Sequence, residues 1–274
     1  MMHSRLGCST ISFRHLELDG ALSQIARLGF TEIDLGALPV VCDHVPYQLT
    51  PSAVDRVAET VCRSGLRVRS VNGDIGDLNQ PLGDRSRNAR DEHLDMLLRL
   101  AAATGAHALV LPCGALSRRP LESVDADLDR VARELARAAE RACRNGVELW
   151  TESLHFHRLC NNIDRAQRLS NRLARTDVRI VMDFSHIVAS GSDPREFVVR
   201  FADRIAHVHI RDAAPGNINL SVGRGRVDFP RGLKALADAG YAGHFALELE
   251  TRDITDADRP SATAEAAQLI SELI

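Results

Sequence analysis

The sequence predicts a single (β/α)8 TIM barrel, and three observations support this fold class. The chain has 274 residues, close to the ~250 residues of one such barrel. Short runs rich in β-branched residues alternate with longer helical patterns, as expected for β-α-β units around a parallel sheet. No linker rich in serine, glycine or proline interrupts this alternation, so we predict one domain that spans residues 1–274.

Eight strand candidates follow one another at regular spacing, and a helix candidate follows each of them. The strand candidates cover residues 5–11, 31–35, 67–72, 108–112, 147–152, 178–183, 205–210 and 244–249. Eight parallel strands could also form an open, doubly wound sheet. The unbroken regularity of the pattern favours a closed barrel.

Residues at the helix boundaries support the same division. Asp19 precedes the first helix candidate, and Thr50-Pro51 and Phe229-Pro230 open two others with proline where a helix needs no N–H. Glycine marks five helix ends, because it reaches the left-handed conformation without a Cβ clash. These glycines are Gly29, Gly65, Gly105, Gly146 and Gly240.

Composition excludes several classes of protein. The formal net charge is −3, so the chain lacks the basic field that holds nucleic acid. No apolar run approaches the ~20 residues that span a bilayer, and the N-terminal residues lack the pattern of a signal peptide. None of the 6 cysteines forms a Cys-x-x-Cys pair, which argues against a structural zinc site. We expect a reduced, cytoplasmic protein without a membrane or nucleic-acid partner.

Side chains able to bind a metal occur at the ends of the last four strand candidates. They are Glu152, Asp183, His207 with His209, and Glu248 with Glu250. The C-terminal ends of barrel strands are where this architecture builds its active sites. Because unpaired carboxylates are costly to bury, four consecutive strands that deliver such groups indicate a shared divalent cation.

Side chains alternate between the two faces of a strand, and this alternation does not by itself decide which residue of the last two strands binds the metal. His207 and His209 share a face, and we choose His209 because it lies nearer the C-terminal end. Glu248 and Glu250 also share a face, and Glu250 is close enough to the strand end to belong to the next loop. A set of carboxylates and one imidazole favours a hard ion, with Mn²⁺ preferred and Mg²⁺, Co²⁺ and Zn²⁺ as alternatives.

These strand ends resemble the xylose-isomerase-like barrels of the sugar phosphate isomerase/epimerase superfamily, which includes ketose 3-epimerases and inosose-processing enzymes. The resemblance covers essentially the whole chain. The matching segments are GDIGDLN, LWTESLH, VMDFSH with its Asp-x-x-His element, HVHIRD followed by VGRGRVDF, and ALELE. The order and spacing of these short motifs are specific for the superfamily but not for a substrate.

The resemblance implies roles for particular residues. It makes Glu152, Asp183, His209 and Glu248 the metal ligands, with Glu152 and Glu248 also the acid/base pair. It makes His186 a substrate contact. Family members often pair, so the resemblance is compatible with a homo-oligomer, but the sequence does not determine the oligomeric state.

Further residues are candidate substrate contacts. His155 lies in the loop after the fifth strand. Ketose 3-epimerases carry an arginine beyond the seventh strand, where this chain reads AAPGN. Arg211, Arg224 or Arg226 would take its place.

The function implied is a metal-dependent isomerase or epimerase that acts on a small polyhydroxylated carbonyl substrate, such as a sugar, sugar phosphate or cyclitol. A carboxylate would remove a proton next to a metal-bound carbonyl. A dehydratase or lyase on a keto-sugar or dehydroshikimate-like ring shares that step. An abasic-site endonuclease would need further histidines where this chain has Asn72 and Cys113. A non-catalytic binding barrel would need no metal.

The sequence also predicts structural roles for Trp150 and for a glycine-rich run after the seventh strand. We expect Trp150 to pack between the barrel and its helices. The glycine-rich run SVGRGRVDF is either a plain tight loop or a site for a phosphate or carboxylate, and Asp212 is placed to brace that loop.

Overall fold

The computed structural model describes residues 2–274, and its strands close into one parallel barrel, which confirms the predicted fold class. Two short antiparallel strands form a hairpin after the seventh barrel strand. The barrel strands are β1 (Leu6–Ser9), β2 (Glu32–Ala37), β3 (Arg67–Gly73), β4 (Ala108–Pro112), β5 (Glu148–Glu152), β6 (Arg179–Asp183), β7 (Ile205–Ile210) and β10 (His244–Leu247). The hairpin strands are β8 (Asp212–Ala214) and β9 (Asn217–Leu220). The order around the barrel is β1-β10-β7-β6-β5-β4-β3-β2.

Helices follow the barrel strands and cover the outside of the barrel. They are α1 (Leu18–Arg27), α2 (Pro51–Ser64), α3 (Asp84–Ala103), α4 (Val124–Arg144), α5 (Ile163–Arg172), α6 (Phe184–Ala189), α7 (Pro194–Phe201), α8 (Phe229–Asp238) and α9 (Arg259–Ser271). Two short 3-10 helices lie at Thr10–Phe13 and Asp256–Asp258.

The helix boundaries follow the predicted signals with small shifts. Thr50 caps α2 by accepting a hydrogen bond from the Ala53 N–H. The helix predicted at Phe229-Pro230 is capped one residue earlier, by Asp228. Asp19 lies inside the first turn of α1 rather than before it. All five predicted helix-ending glycines have positive φ, between 68° and 88°.

Trp150 lies inside the barrel, so the expected position between barrel and helices is wrong. Its indole stacks on the His207 ring at 5.5 Å between centroids, and it packs with Val110 and Val181. Side chains two residues apart on a strand share a face. Trp150 therefore has to point the same way as Glu152, towards the barrel axis.

The loop SVGRGRVDF closes around a carboxylate of this chain. Asp212, 1% exposed, accepts hydrogen bonds from the backbone N–H groups of Ala213, Gly223, Gly225 and Val227. The N–H groups that a phosphate would use thus already bind Asp212, as expected for a braced tight loop. The hairpin β8–β9 was not predicted, because its pairing depends on this loop.

Gly225→Ala is expected to destabilise the protein. A Cβ at this position would lie 2.0 Å from Asp212 Oδ1 and 2.5 Å from the Ala213 carbonyl oxygen, and such overpacking costs about 1–3 kcal/mol. Thermal unfolding would measure the loss. Gly223→Ala is unsuitable as a control, because Gly223 has a φ of 88°, which is strained for alanine. Gly83→Ala is the control, because a Cβ at Gly83 would meet no atom within 4 Å. Equal melting temperatures for Gly225→Ala and Gly83→Ala would contradict this account.

Within residues 2–274, no helix combines the length and the apolar character needed to cross a bilayer.

Candidate active site

Four of the predicted site residues meet at the C-terminal mouth of the barrel. Glu152, Asp183, His209 and Glu248 each offer one ligand atom, and these atoms all lie within 4.8 Å of one another. They belong to β5, β6, β7 and the end of β10, which are neighbours in the barrel. Four adjacent strands thus converge on one point, as their sequence positions predicted.

Two of the carboxylates are oriented by hydrogen bonds to neighbouring groups. Asp183 Oδ1 caps α6 by accepting hydrogen bonds from the Ser185 and His186 N–H groups, while Asp183 Oδ2 accepts one from Arg211 Nη2 at 3.1 Å. Glu248 Oε1 accepts a hydrogen bond from Asn72 Nδ2 at 3.1 Å. Its Oε2 lies 3.4 Å from His209 Nδ1. Both side chains are therefore oriented before any ligand binds.

Glu152 is held differently, because its carboxylate oxygens contact three histidines. Oε1 lies 3.2 Å from His209 Nδ1, and Oε2 lies 3.7 Å from both His155 Nε2 and His186 Nε2. Its side chain is 15% exposed, against 0% for Asp183. Burial, followed by the charges of Glu248 and Asp183, raises the pKa of Glu152 to about 7. Glu152 is thus the ligand candidate most open to the cavity.

His209 is surrounded by carboxylates, which favour a positive charge at this position. Its Nδ1 faces Glu152 and Glu248, and its Nε2 lies 3.4 Å from Asp34 Oδ2. Burial by itself lowers the pKa of His209, but the charge of Glu248 and the contacts with Asp34 and Glu152 outweigh burial and raise that pKa well above its ordinary value. Three carboxylates around one imidazole need a positive charge, which a proton or a divalent ion supplies. The donor set fits a divalent metal with oxygen and imidazole ligands.

Arg211 lies in the same cluster, although its nearest strand ends at Ile210. Its guanidinium is 2% exposed and lies 3.1 Å from Asp183 Oδ2 and 3.3 Å from Glu250 Oε2. Nε donates to Ser185 Oγ at 2.9 Å. Burial works against the charged form, but Asp183, Glu248 and Glu250 outweigh it and raise the pKa of Arg211. Arg211 therefore stays charged and offsets part of the negative charge.

His155 and His186 form one wall of the cavity. Their ring centroids lie 3.8 Å apart, with the rings tilted by 32°, and His186 Nδ1 accepts a hydrogen bond from the Phe156 N–H. Burial, together with the positive charge of Arg211, lowers the pKa of His186 well below its ordinary value. Burial and the neighbouring His186 do the same for the pKa of His155. Both imidazoles are therefore neutral near pH 7.

The structure does not bring Arg224 to the cavity. Its side chain is 62% exposed, and Nη1 donates to the Asp253 carbonyl oxygen at 3.2 Å. Of the predicted substrate contacts, His155, His186 and Arg211 line the cavity.

The cavity above the cluster has a volume of about 540 Å³. Its rim includes an ion pair between Arg158 Nη2 and Asp74 Oδ2 at 2.9 Å. Arg158 Nη1 also donates to the Gly114 carbonyl oxygen at 2.9 Å. A cavity of this size accommodates a monosaccharide or cyclitol with space to spare.

Sequence reasoning missed the residues below the cluster. Asp34 is fully buried and contacts both His207 and His209, and Asn72 holds Glu248. The available signal was Asp34 between the apolar residues Ile33 and Leu35 in the middle of the strand EIDLGA, at a position that faces the barrel interior. Strand-end reasoning overlooked Asp34 because it sought acids only where strands end.

Comparisons with known proteins agree with this architecture. The Lacticaseibacillus casei protein named inosose dehydratase is 26% identical over 147 residues, which cover 46% of this chain and 48% of that protein. The chain thus spans about half the length of this curated relative. The Escherichia coli structure of YcjR, described as a 3-keto-D-glucoside 4-epimerase, is 20% identical with a TM-score of 0.76 and covers 96% of this chain and 99% of that one.

A second solved structure is the IOLI protein with a binding zinc atom. It is 18% identical with a TM-score of 0.78, and the match covers 98% of this chain and 99% of that chain. At these identities, the two structures establish the fold alone. The model of the xylose isomerase-like TIM barrel family matches residues 22–273, so this chain belongs to the xylose isomerase-like TIM barrel family.

Proposed function

We propose that this protein is a divalent-metal-dependent isomerase or epimerase that acts on a sugar or cyclitol carrying a carbonyl group. The observation that supports this most is the convergence of Glu152, Asp183, His209 and Glu248 within 4.8 Å at the mouth of the barrel. These residues would hold the ion, with Mn²⁺ preferred. The ion would act as a Lewis acid that stabilises negative charge developing on a substrate oxygen.

Glu152 and Glu248 are suited to moving the proton. They lie at the end of β5 and directly after β10, with β6 and β7 between them, so they approach the cavity from different sides. Glu152 faces neutral histidines and is open to the cavity, whereas Glu248 is held by Asn72. We assign Glu152 as the base that removes a carbon-bound proton and Glu248 as its partner on the opposite side, the arrangement that epimerisation requires.

His155, His186 and Arg211 would orient the substrate. The imidazoles are neutral, so each can donate or accept a hydrogen bond with a hydroxyl group. Arg211 is charged and would favour a substrate oxygen that gains negative charge. A screen of ketoses and inososes in D₂O with Mn²⁺ tests the proposal, because the correct substrate should take up deuterium at the carbon next to its carbonyl. Absence of exchange with every compound would count against it.

The charges around the cavity favour an uncharged substrate over a phosphorylated one. Among residues 2–274, the arginines that line the cavity are Arg158, Arg211 and Arg252. Arg158 pairs with Asp74, while Arg211 and Arg252 both contact Glu250. A phosphate would have to compete with these carboxylates for each guanidinium. We therefore propose that the substrate carries no phosphate.

Asp74→Asn is expected to improve the binding of a phosphorylated ketose. The change frees Arg158 from its carboxylate partner, and a hydrogen bond to a charged group contributes about 1.5–3 kcal/mol, so the gain should be about tenfold or more. Dissociation constants for one ketose with and without a terminal phosphate would show it. The wild-type protein should prefer the unphosphorylated sugar.

Asp77→Asn is the matched control for that experiment. Asp77 also lines the cavity, and its carboxylate accepts from the Leu116 N–H rather than from an arginine. If Asp77→Asn improved phosphate binding as much as Asp74→Asn, the gain would reflect general electrostatics. Tighter binding of the phosphorylated sugar by the wild-type protein would overturn the assignment of an uncharged substrate.

A dehydratase is the second candidate, because the first relative above is named inosose dehydratase. Loss of a hydroxyl one carbon beyond the carbonyl would follow the same proton abstraction by Glu152. Glu152, protonated by that step, would then return the proton to the departing hydroxyl, which leaves as water. Mass spectrometry separates the two reactions, since dehydration removes one water and epimerisation leaves the mass unchanged.

A further inference from the structure

A layer of polar side chains lies inside the barrel directly beneath the proposed metal ligands. Asp34 on β2 is 0% exposed and is the centre of this layer. Its Oδ1 accepts a hydrogen bond from Ser70 Oγ at 2.8 Å. Its Oδ2 lies 2.8 Å from His207 Nε2 and 3.4 Å from His209 Nε2. One buried carboxylate therefore contacts both histidines of β7.

We infer that Asp34 is a positioning residue that keeps the proton of His209 on Nε2, so that the Nδ1 lone pair faces Glu152 and Glu248. This inference rests on the proposed function, because it concerns how His209 would bind the ion. Among the described residues, His209 Nε2 is buried and makes no hydrogen bond, and Asp34 Oδ2 is the carboxylate oxygen that lies 3.4 Å from it. The position of its proton therefore depends on Asp34.

The opposite tautomer of His209 is unfavourable at Nε2 and cannot bind an ion through Nδ1. An ionised carboxylate only accepts hydrogen bonds, so a lone pair on Nε2 would face the Asp34 oxygen without a proton between them. A proton on Nδ1 would donate to Glu152 and Glu248, at 3.2 Å and 3.4 Å, but it would occupy the position of a metal–nitrogen bond. Asp34 thus selects the tautomer that can bind a cation.

A buried carboxylate is costly unless it is hydrogen-bonded, and this cost explains the other partners of Asp34. Ser70 and His207 supply donors that hold the carboxylate in place. Histidines that bind metals usually donate their other N–H to such a group, and loss of that group typically lowers metal affinity by about 10- to 100-fold.

The first test is Asp34→Asn. The introduced amide presents N–H groups where the carboxylate accepted them, so it should draw a lone pair onto a neighbouring Nε2 and shift the proton of His209 to Nδ1. We expect Mn²⁺ binding, measured by calorimetric titration, to weaken by about 10- to 100-fold. Adding Mn²⁺ should raise the melting temperature of Asp34→Asn less than it raises that of the wild-type protein. This loss should be larger than the difference in melting temperature between the two metal-free proteins.

His207→Gln is the matched control. The glutamine amide can still donate to Asp34, and the contact between Asp34 and His209 is kept. We expect its affinity for Mn²⁺ to stay near that of the wild-type protein. Wild-type affinity in Asp34→Asn, or an equal loss in His207→Gln, would overturn the inference.

A second measurement uses the wild-type protein and so does not depend on a variant that folds. Long-range ¹H–¹⁵N spectra of the histidines with Zn²⁺ bound report which ring nitrogen carries the proton. His209 signals are identified by their loss in His209→Gln. A proton on Nε2 supports the inference, and a proton on Nδ1 overturns it. Failure of the wild-type protein to bind any divalent ion would instead refute the proposed function.

Discussion

Glu152→Gln is expected to lower turnover of the correct substrate by about 10²- to 10⁴-fold, the usual contribution of a general base. The amide keeps the shape of the side chain and its contacts with His209, but it cannot accept the carbon-bound proton. Exchange of that proton with D₂O should fall in parallel. Turnover and deuterium uptake, measured with saturating Mn²⁺, would separate loss of the base from weakened metal binding.

Glu148→Gln provides the control, because Glu148 lies on the same strand at the opposite end of the barrel. Its side chain contacts Trp150 Nε1 and is 45% exposed, so its replacement should leave turnover unchanged. Near-normal turnover of Glu152→Gln would reject the assigned role. Conversion of the substrate without deuterium uptake at carbon would indicate an intramolecular hydride shift instead of proton transfer between two carboxylates.

The second large effect is expected on metal binding. Asp183→Asn and His209→Ala should each lower the affinity for Mn²⁺ by at least about tenfold, since even a group that only supports a ligand has an effect of that size. Asp183→Asn also removes the charge that faces Arg211 at 3.1 Å. Titration of the metal-free protein with Mn²⁺ measures both effects.

Asp183 also caps α6, so a loss of affinity in Asp183→Asn needs a control for the cap. Asp193 caps α7 in the same way, by accepting from the Arg195 N–H at 2.8 Å, and it lies outside the site. Asp193→Asn should leave Mn²⁺ binding unchanged. Unaltered titration curves for both Asp183→Asn and His209→Ala would refute the proposed ligands.

The sequence by itself determined the barrel and the strand ends that form its mouth. The alternation of β-branched and amphipathic segments repeats eight times, and each boundary depends on residues near it in the chain. The same local rule placed Glu152, Asp183, His209 and Glu248 at neighbouring strand ends. His209 was separated from His207 by distance to the strand end alone, and the structure places His209 in the four-residue cluster.

Tertiary structure decided how those side chains are held. Asp34 and His207 are separated by 173 positions in sequence yet lie 2.8 Å apart, because β2 and β7 face each other across the barrel interior. Asn72 and Glu248 meet across 176 positions. Local patterns contain no information about such pairs, since they depend on the register of strands around the closed barrel.

Loop conformation was also decided by contacts between distant segments. Arg211 and Arg224 were equivalent candidates in the sequence, but Arg211 is buried against Asp183 and Glu250, whereas Arg224 points to solvent. Asp212 explains why the two arginines lie in different places, because its carboxylate accepts hydrogen bonds from N–H groups of the loop that carries Arg224. The position of a residue at the end of a strand determines where its backbone lies. The charges and hydrogen-bond donors around it determine the direction in which its side chain points.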